Sequence, residues 1–586
     1  MGENMSTNLS KIKRDKMLET ISKIKENIED DETLKNLSLI EYELTKKKYG
    51  LVWEEHEERV DEELKTQIPT FEEVKEKDII SNENDKFNFL LEGDNLHSLY
   101  LLEKTHKNKI DFIYIDPPYN TGNKDFIYND EYISNDDGYR HSKWLSFMNN
   151  RLRIAYELLA ENGLIFISID DNEQAQLKLL CDEIFGDNNC IGILPTIMNL
   201  KGNQDQFGFA GTHEYTLVYA KNISKCQLGQ FEIDDDEIEK EWLIDDFGYY
   251  KKGANLKSTG VNAPREKRPN LYFPIYVLDE TPCGMKDENQ EYRLEWSLEP
   301  KKGFSPIYPI TNGKEMSWRW SKNKFKNEAY NVIITSDGKE GISFYKKQRP
   351  SIGDIPTKKP KSFFYKPEYS SGNGTNQIVR IFGNKVFNNP KPVELLKDFI
   401  RIGLRNKDGI VLDFFAGSGT TAQAVLELNK EDNGKRKFIL CTNNENNICE
   451  NITYQRIKTI ITGKTKDDIS FSDGTISNLK YYKTAYVPRL NTEEENIQEN
   501  LLVNIKNLIQ LENGISIDDK RIKVILSEDE IDKFSENTEQ IKECEKLYIS
   551  SDILLTAKQV KIFKDNNIEV FIIPEYYFDE EIKGVQ

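Results

Sequence analysis

Nowhere in its 586 residues does this chain string together the roughly 18 apolar residues that a membrane-crossing helix requires, and mean hydropathy is −0.66. A membrane span is therefore excluded. No basic-then-apolar signal segment opens the chain. The seven cysteines contain no CxxC pair, so neither secretion nor a zinc knuckle is supported, no metal is expected, and the cytoplasm is the expected compartment. Two nucleotide signatures are missing as well. The chain has no GxGxxG, and its one tempting phosphate-loop remnant, Gly463-Lys464-Thr465, has Lys458 where the first glycine must stand. Without a phosphate loop, and with no nuclease motif, the chain is not expected to translocate along DNA or cut it alone.

What is present is abundant charge, unevenly spread. The 80 Lys and Arg against 100 Asp and Glu give a net charge of −20, which argues against non-specific coating of nucleic acid. Yet the stretch 251–370 carries 23 Lys and Arg against 14 Asp and Glu, a surplus of nine, so the rest of the chain is at −29. This basic stretch is punctuated by Pro and Gly and interleaved with aromatics, as in Arg268-Pro-Asn-Leu-Tyr-Phe-Pro-Ile-Tyr276 and Trp318-Arg319-Trp320, with Arg265, Lys267, Lys322, Lys324 and Lys326 between. That composition suits an irregular, β-rich reader of nucleic acid, although clustered surface lysines alone would look similar.

The length predicts about three or four domains of roughly 100 to 200 residues each. Residues 1 to about 85 are highly charged with apolar positions at helical spacing (Leu18, Ile21, Ile24, Ile28), predicting helices. Residues 489–586 are acidic, with 22 Asp and Glu against 12 Lys and Arg, and carry the short apolar runs Val524–Leu526, Leu547–Ile549 and Val570–Ile573. Segments with N-cap residues at Ser527 and Thr556 separate these runs, predicting a small α/β domain with an interaction role.

Two strand ends carry the chemistry. Lys109-Ile-Asp-Phe-Ile-Tyr-Ile115 reads as a buried parallel strand and stops at Asp116-Pro117-Pro118-Tyr119-Asn120-Thr121-Gly122. Two successive prolines fix φ and remove two backbone donors, so the chain leaves the sheet in one stiff conformation, with the Asp116 carboxylate and the Pro117 carbonyl free to accept. With the flat face of Tyr119 nearby, the pair suits an exocyclic amino group on a planar base. The second strand, Gly409-Ile-Val-Leu-Asp413, runs into Phe414-Phe415-Ala416-Gly417-Ser418-Gly419-Thr420-Thr421 and then a helix. Glycines there let the backbone approach a nucleotide-like ligand at a helix N-terminus. Ligands of open α/β sheets sit beyond the carboxyl ends of the strands, so both motifs are expected on one rim of a doubly wound sheet.

Asp-Pro-Pro-Tyr placed before Phe-x-Gly-x-Gly, with a long basic insert between, resembles the β-class amino-methyltransferases of DNA, whose permuted order puts the catalytic motif first. The full string 116–122, the upstream Leu91-Glu92-Gly93-Asp94-Asn95-Leu96, the Arg268 run and the acidic α/β tail resemble more narrowly the modification subunit of type III restriction-modification systems. The resemblance implies a Rossmann-like S-adenosylmethionine-dependent methyltransferase core in permuted order. It implies a helical region at 1–85, a catalytic half at 86–225, a target recognition domain at 226–375, a cofactor-binding half at 376–489 and an α/β interaction domain at 490–586. Asp116, Pro117, Pro118 and Tyr119 are then the catalytic residues. Asp413, Phe414, Phe415, Gly417 and Gly419 hold the cofactor. Lys391 and Pro392, in Phe387-Asn-Asn-Pro390-Lys391-Pro392, close over its methionine end, and Asp94 lies beside the same pocket. Strand 163–171, with Ser168, Asp170 and Asp171, lines the site, and Thr212-His213-Glu214-Tyr215 lies near the target base or caps a strand. One departure stands out: Cys441 is followed by Thr442-Asn443-Asn444-Glu445 where relatives place a ribose-binding acid, leaving Glu445 as the candidate.

The expected activity is transfer of methyl from S-adenosylmethionine to adenine N6 in double-stranded DNA after base flipping, by a homodimer with a separate restriction subunit as possible partner. Asp at 116, where N4-cytosine enzymes tend to have Ser, favours adenine over the N4-cytosine alternative. RNA as substrate, a solitary adenine methyltransferase and a non-catalytic specificity subunit are the remaining alternatives.

Overall fold

The structure, a computed structural model, describes residues 9–25, 28, 30–45, 53–83, 85–122, 126–128, 131–134, 137–202, 208–233, 235–278, 295–337, 341–351, 354–488, 494–574 and 577. The chain divides into two compact units: Met1–Leu228 together with Ser362–Gln586, and Gly229–Lys361.

The first unit is built on a nine-stranded sheet. Its strands, in chain order, are β1 (Gln67–Glu73), β2 (Phe87–Glu92), β3 (Ile110–Ile115), β4 (Leu159–Ile169), β5 (Cys190–Ile197), β6 (His213–Ala220), β7 (Ile410–Asp413), β8 (Lys437–Thr442) and β9 (Asn478–Pro488). Their spatial order is β1-β9-β2-β8-β7-β3-β4-β6-β5. The six strands from β9 to β4 run parallel, and antiparallel strands flank them on both sides. In β3, Ile110, Phe112, Ile113, Tyr114 and Ile115 are all buried, as a parallel strand covered on both faces must be. From β3 the chain winds toward β4, and from β7 it winds the other way toward β8. The order thus reverses between β7 and β3, joined by the pairs Val411 with Phe112 and Leu412 with Ile113. This is the switch point where ligands of doubly wound sheets bind, and the expected α/β fold is the one found.

Residues 1–85 need one correction, since β1 (Gln67–Glu73) is strand and not helix. It pairs antiparallel with β9 at the sheet edge, where Pro69 is tolerated, and Ile68 and Phe71 are fully buried. Ahead of it, Glu58 caps the helix Arg59–Thr66 in a reciprocal capping box with Asp61. The Glu58 carboxylate also reaches Arg151, whose guanidinium donates to Oε1 at 2.7 Å and Oε2 at 3.1 Å. Arg151, on the helix Arg140–Leu158, is almost wholly buried. It donates as well to Asn95 Oδ1 (2.6 Å) and the Phe147 carbonyl (2.8 Å), and Asn95 in turn donates to the Phe414 carbonyl (2.8 Å). One cation therefore joins the amino-terminal region, the turn after β2 and the loop after β7.

In the tail, the helix Glu494–Asn513 packs against β1 and the helix Asn95–His106. Beyond it lies a three-stranded parallel sheet, Ile522–Ile525, Lys546–Ile549 and Glu569–Ile572. Ser527 and Thr556 cap its two long connecting helices through their hydroxyls.

The second unit is antiparallel: a four-stranded sheet of Leu243–Asp245, Gly248–Asn255, Gly341–Gln348 and Val332–Asp337, and a three-stranded one of Trp296–Ser297, Ile275–Leu278 and Phe304–Ile307. Trp318 and Trp320 are its core and not its surface. Trp318 is fully buried between Phe325 and Phe344, with its indole N–H donating to the Phe273 carbonyl at 2.8 Å. Outside that core, Tyr272 stacks on Tyr308 with ring centroids 5.2 Å apart, and the Arg265 guanidinium lies 4.4 Å from the Tyr272 ring.

Removing the guanidinium while leaving Glu58 buried leaves an unpaired carboxylate, so Arg151→Met should lower stability by about 3 to 5 kcal/mol. Urea unfolding read by circular dichroism measures this, and Glu58→Gln in the same chain should recover part of the loss.

Candidate active site

Asp116 leaves the sheet at the carboxyl end of β3, and the turn after it is clamped from below. Trp144, fully buried on the helix Arg140–Leu158, donates its indole N–H to the Pro118 carbonyl at 2.7 Å. Among the described residues the Pro117 carbonyl accepts no hydrogen bond. Asp116 keeps 27% of its side chain exposed. The acceptor pair expected from the sequence is therefore present at the rim.

Tyr119 is held by its hydroxyl, which donates to Asp116 Oδ1 at 2.8 Å and lies 3.1 Å from Glu214 Oε2. The Lys391 ammonium donates to Tyr119 Oη at 2.6 Å and to Glu214 Oε2 at 2.8 Å, and is 3.1 Å from Asp116 Oδ1. Lys391, which the resemblance assigns with Pro392 to the cofactor's methionine end, has its charge engaged by two carboxylates and a phenol beside Asp116. Glu214 is the second residue of β6, and among the described residues its buried Oε1 has no hydrogen-bond partner. Burial raises the Glu214 carboxyl above the usual carboxylate range against the pull of Lys391. Burial also opposes the Lys391 charge, but Asp116 and Glu214 outweigh it and push the ammonium up to about 12. The group is therefore a triad of one cation and two acids.

Lys391 is aimed by a close backbone approach. Gly374, on the helix Ser371–Phe382, faces the Pro390 carbonyl so tightly that a Cβ there would lie 2.0 Å from the oxygen. Asn389, with φ of 50°, turns the chain just before it.

Behind the tetrapeptide sits a second polar cluster that sequence reasoning passed over. Asn120, with φ of 57°, donates to Glu173 Oε1 at 2.6 Å, and His141 Nδ1 is 2.7 Å from the same oxygen. Glu173 is fully buried, and burial pushes its carboxyl up to about 8. Asn120 carries the only signal readable in the sequence, as a residue that tolerates left-handed φ.

On the neighbouring strand, Asp413 accepts from the Phe415 N–H (3.0 Å) and the Thr421 hydroxyl (2.5 Å). Burial pushes it from 3.8 up to about 7, and these two donors oppose the shift. Phe414 is buried in the core, and Phe415 packs on Phe147 with centroids 5.8 Å apart. Gly417 (φ 48°) and Gly419 (φ 77°) both need the left-handed region. A Cβ on Gly417 would meet the Phe387 ring at 3.2 Å, so this glycine leaves a cradle that a side chain would fill. Thr453, at the end of a π-turn spanning Cys449–Thr453, donates to the Gly417 carbonyl at 2.6 Å. Arg456, fully buried, donates to Ser418 Oγ (3.0 Å), Thr420 Oγ1 (2.8 Å) and Gln423 Oε1 (2.8 Å). Burial lowers its guanidinium to about 9. Asp94 caps the helix Asn95–His106 and lies 3.5 Å from Arg151, Pro392 precedes the helix Val393–Gly403 as its N-cap, and Glu445 is exposed in the turn after β8. Ser168 is buried against the Tyr114 hydroxyl at 3.0 Å, and Asp170 turns inward on Asn172. Among the described residues no cluster of His, Cys, Asp and Glu could hold a metal ion.

The sheet is doubly wound, with Asp116 and Pro117 at the end of one strand and the Gly417 and Gly419 turn at the end of the next, an arrangement that suits a ligand at the switch point. Comparison with known proteins gives the family. The DNA methylase family model matches residues 110–455. The chain is 45% identical over 430 residues to the EcoPI Mod subunit, a type III restriction-modification enzyme of Escherichia phage P1, covering 69% of this chain and 65% of that protein. It is 36% identical over 392 residues to the type II methyltransferase M.KpnI of Klebsiella pneumoniae, covering 66% and 86%. It is 34% identical to the StyLTI Mod subunit of Salmonella typhimurium, covering 63% and 54%. The chain belongs to the N6/N4 DNA methylase family. It spans just under two thirds of the EcoPI subunit's length.

Two outcomes follow from the geometry. Asp413 binds a proton in the folded chain over a window where the unfolded chain has lost it, so its contribution to stability falls as pH rises from about 4 to about 7. Asp413→Asn should therefore gain stability relative to the parent across that window, measured by urea midpoints at stepped pH. Gly374→Ala should cost about 1 to 3 kcal/mol by forcing the Pro390 carbonyl away; an unchanged thermal midpoint would show that the turn moves freely.

Proposed function

We propose that this chain is a site-specific DNA methyltransferase that moves the methyl group of S-adenosylmethionine to adenine N6, and that it serves as the modification and recognition subunit of a type III restriction-modification system. The observation that carries the reading is that the partly exposed Asp116 carboxylate stands beside the Pro117 carbonyl, which accepts no hydrogen bond from a described residue, one strand from the Gly417 cradle. Two acceptors take the two N–H bonds of an exocyclic amine and leave its lone pair out of the ring plane, directed at the donor carbon. Asp413, Phe415 and Gly417 would hold the cofactor, with Phe387 packed at the cradle, Asp94 and Pro392 near it, and Glu445 as candidate partner for the ribose. The bound cofactor supplies an electrophilic methyl on a sulfonium. The pocket supplies complementary charge, since Asp116 and Glu214 together outweigh Lys391.

An amino group inside a duplex is out of reach, so the adenine is flipped out at a cost of a few kcal/mol, which contacts to phosphates can offset. The basic segment 226–375 supplies those contacts and the base readout, and the exposed Arg265 and Tyr308, with the half-buried Tyr272 between them, suit it. A homodimer in the cytoplasm, associated with a separate restriction subunit, completes the reading for a type III enzyme. A stand-alone type II methyltransferase is the second reading, favoured by the 86% of M.KpnI that the match covers.

Single-molecule sequencing of DNA from a methylation-free host expressing the chain should show N6-methyladenine in one sequence context, and N4-methylcytosine would overturn the choice of base. Co-purification of a helicase-nuclease subunit encoded beside it separates type III from stand-alone. Asp116→Ala should lower transfer roughly 10²-fold or more while cofactor binding by calorimetry stays close to the parent.

A further inference from the structure

Methyl transfer to a neutral amine leaves one proton too many on the nitrogen. The N–C bond forms from the nitrogen lone pair as the C–S bond breaks toward sulfur, so the product nitrogen is cationic until a proton departs. Asp116 is the base within reach, and its carboxylate is not isolated. The Tyr119 hydroxyl bridges Asp116 Oδ1 at 2.8 Å and Glu214 Oε2 at 3.1 Å, so one phenol lies between two carboxylates at hydrogen-bond distance. Its oxygen also accepts from Lys391 at 2.6 Å. The Glu214 side chain is 10% exposed and sits deeper than that of Asp116, which is 27% exposed. Its second oxygen is buried with no hydrogen-bond partner among the described residues. Such an atom is costly as an unpaired acceptor; protonation of the carboxyl on either oxygen would lower that cost.

We infer that Asp116, Tyr119 and Glu214 form a proton relay, in which the proton leaving the methylated amine is stored on Glu214. The inference rests on the amino-methyltransferase reading above. Asp116 takes the proton from nitrogen, whose N–H electron pair stays on nitrogen and restores the neutral amine. Asp116 then passes a proton to Tyr119 Oη while the phenol's own proton moves to Glu214 Oε2. Asp116 is again a carboxylate, the phenol is unchanged, and Glu214 has become a carboxylic acid. Lys391 stays an ammonium throughout, so the pocket goes from one net negative charge to none. The groups that face Glu214 and tune it are Lys391, Asp116, Tyr119 and the Tyr114 phenol behind them, with Asp413 next to Asp116. Burial raises the Glu214 carboxyl, and the Lys391 ammonium acts against that rise.

The test is single-turnover transfer of a tritiated methyl group to duplex DNA by the full chain across pH 5.5 to 9. The parent should lose rate on the acid side as Glu214 becomes occupied. Glu214→Gln should lower the rate roughly 10²-fold, in the range of a lost acid-base group, and should abolish that acid limb with cofactor affinity unchanged. Tyr119→Phe should lose as much, and the double variant should be no slower than either single one, because both break the same path. Glu214→Asp keeps an ionisable group and should restore part of the rate with the acid limb; it also serves if Glu214→Gln does not fold. A parent-like rate in Glu214→Gln, an acid limb that survives it, or losses that multiply in the double variant would each overturn the relay. Labelling of cytosine in place of adenine would sink the choice of base above and leave the relay to be judged on the same variants.

Discussion

Everything at this site depends on a short stretch of parallel pairing between β7 and β3. Two residue pairs, Val411 with Phe112 and Leu412 with Ile113, bring together strands whose motifs lie about 300 residues apart in the chain. The pairing is short because β7 has only four residues, and it is reinforced from the side: Asp111 Oδ2 accepts from the Ile410 N–H at 2.8 Å. Since β7 and β3 are the point where the winding reverses, their carboxyl ends open outward with no connection crossing between them. A base and a donor can therefore approach one another there from two independent loops.

Around that junction the structure uses charge in an economical way. Arg151 reaches Glu58, Asn95 and, through Asn95, the Phe414 carbonyl, so a single buried cation sets the floor of the loop that follows β7. Arg456 does the same from the other side with hydroxyl and amide partners and no carboxylate among them. Lys391 is the third cation, and it faces acids. The contrast has a physical sense. Neutral partners fix geometry without adding a field, which under the proposed function suits a loop that accepts a cationic donor, whereas on the same reading the paired acids beside Lys391 add the negative potential that a developing ammonium needs.

Much of this was legible in the sequence. The β-branched and aromatic run of β3, the double proline, the glycines after Asp413 and the capped tail helices are local signals, and each follows from sterics or hydrogen bonding within a few residues. What was not legible is side-chain pairing at a distance. Arg151 sits in a helix rich in charge and reads as an exposed residue until Glu58, 93 positions earlier, is found against it. Lys391 and Glu214 are 177 positions apart, and although the resemblance puts the Glu214 segment near the target base, neither local string announces their ion pair. The misread strand β1 failed for a different reason. Its residues Gln67-Ile-Pro-Thr-Phe71 follow a helical segment, and only pairing with β9, more than 400 residues later, makes them a strand. The Trp318-Arg319-Trp320 run counted only toward a composition suited to a nucleic-acid reader, because aromatics beside cations look alike in sequence whether they bind bases or fill a small core, as Trp318 and Trp320 do.

The junction of β3 and β7 also sets a clock for biosynthesis. β3 can pair with β4 soon after both emerge, but its other edge waits for β7, which is made about 295 residues later. At roughly 5 to 20 residues per second, an apolar strand edge, Ile-Asp-Phe-Ile-Tyr-Ile, stands open for about 15 to 60 s on the ribosome. During that interval the nascent chain is an aggregation hazard of the kind that open edges create. The permuted order thus places a cost in synthesis, because the junction on which the site is built closes only when β7 arrives.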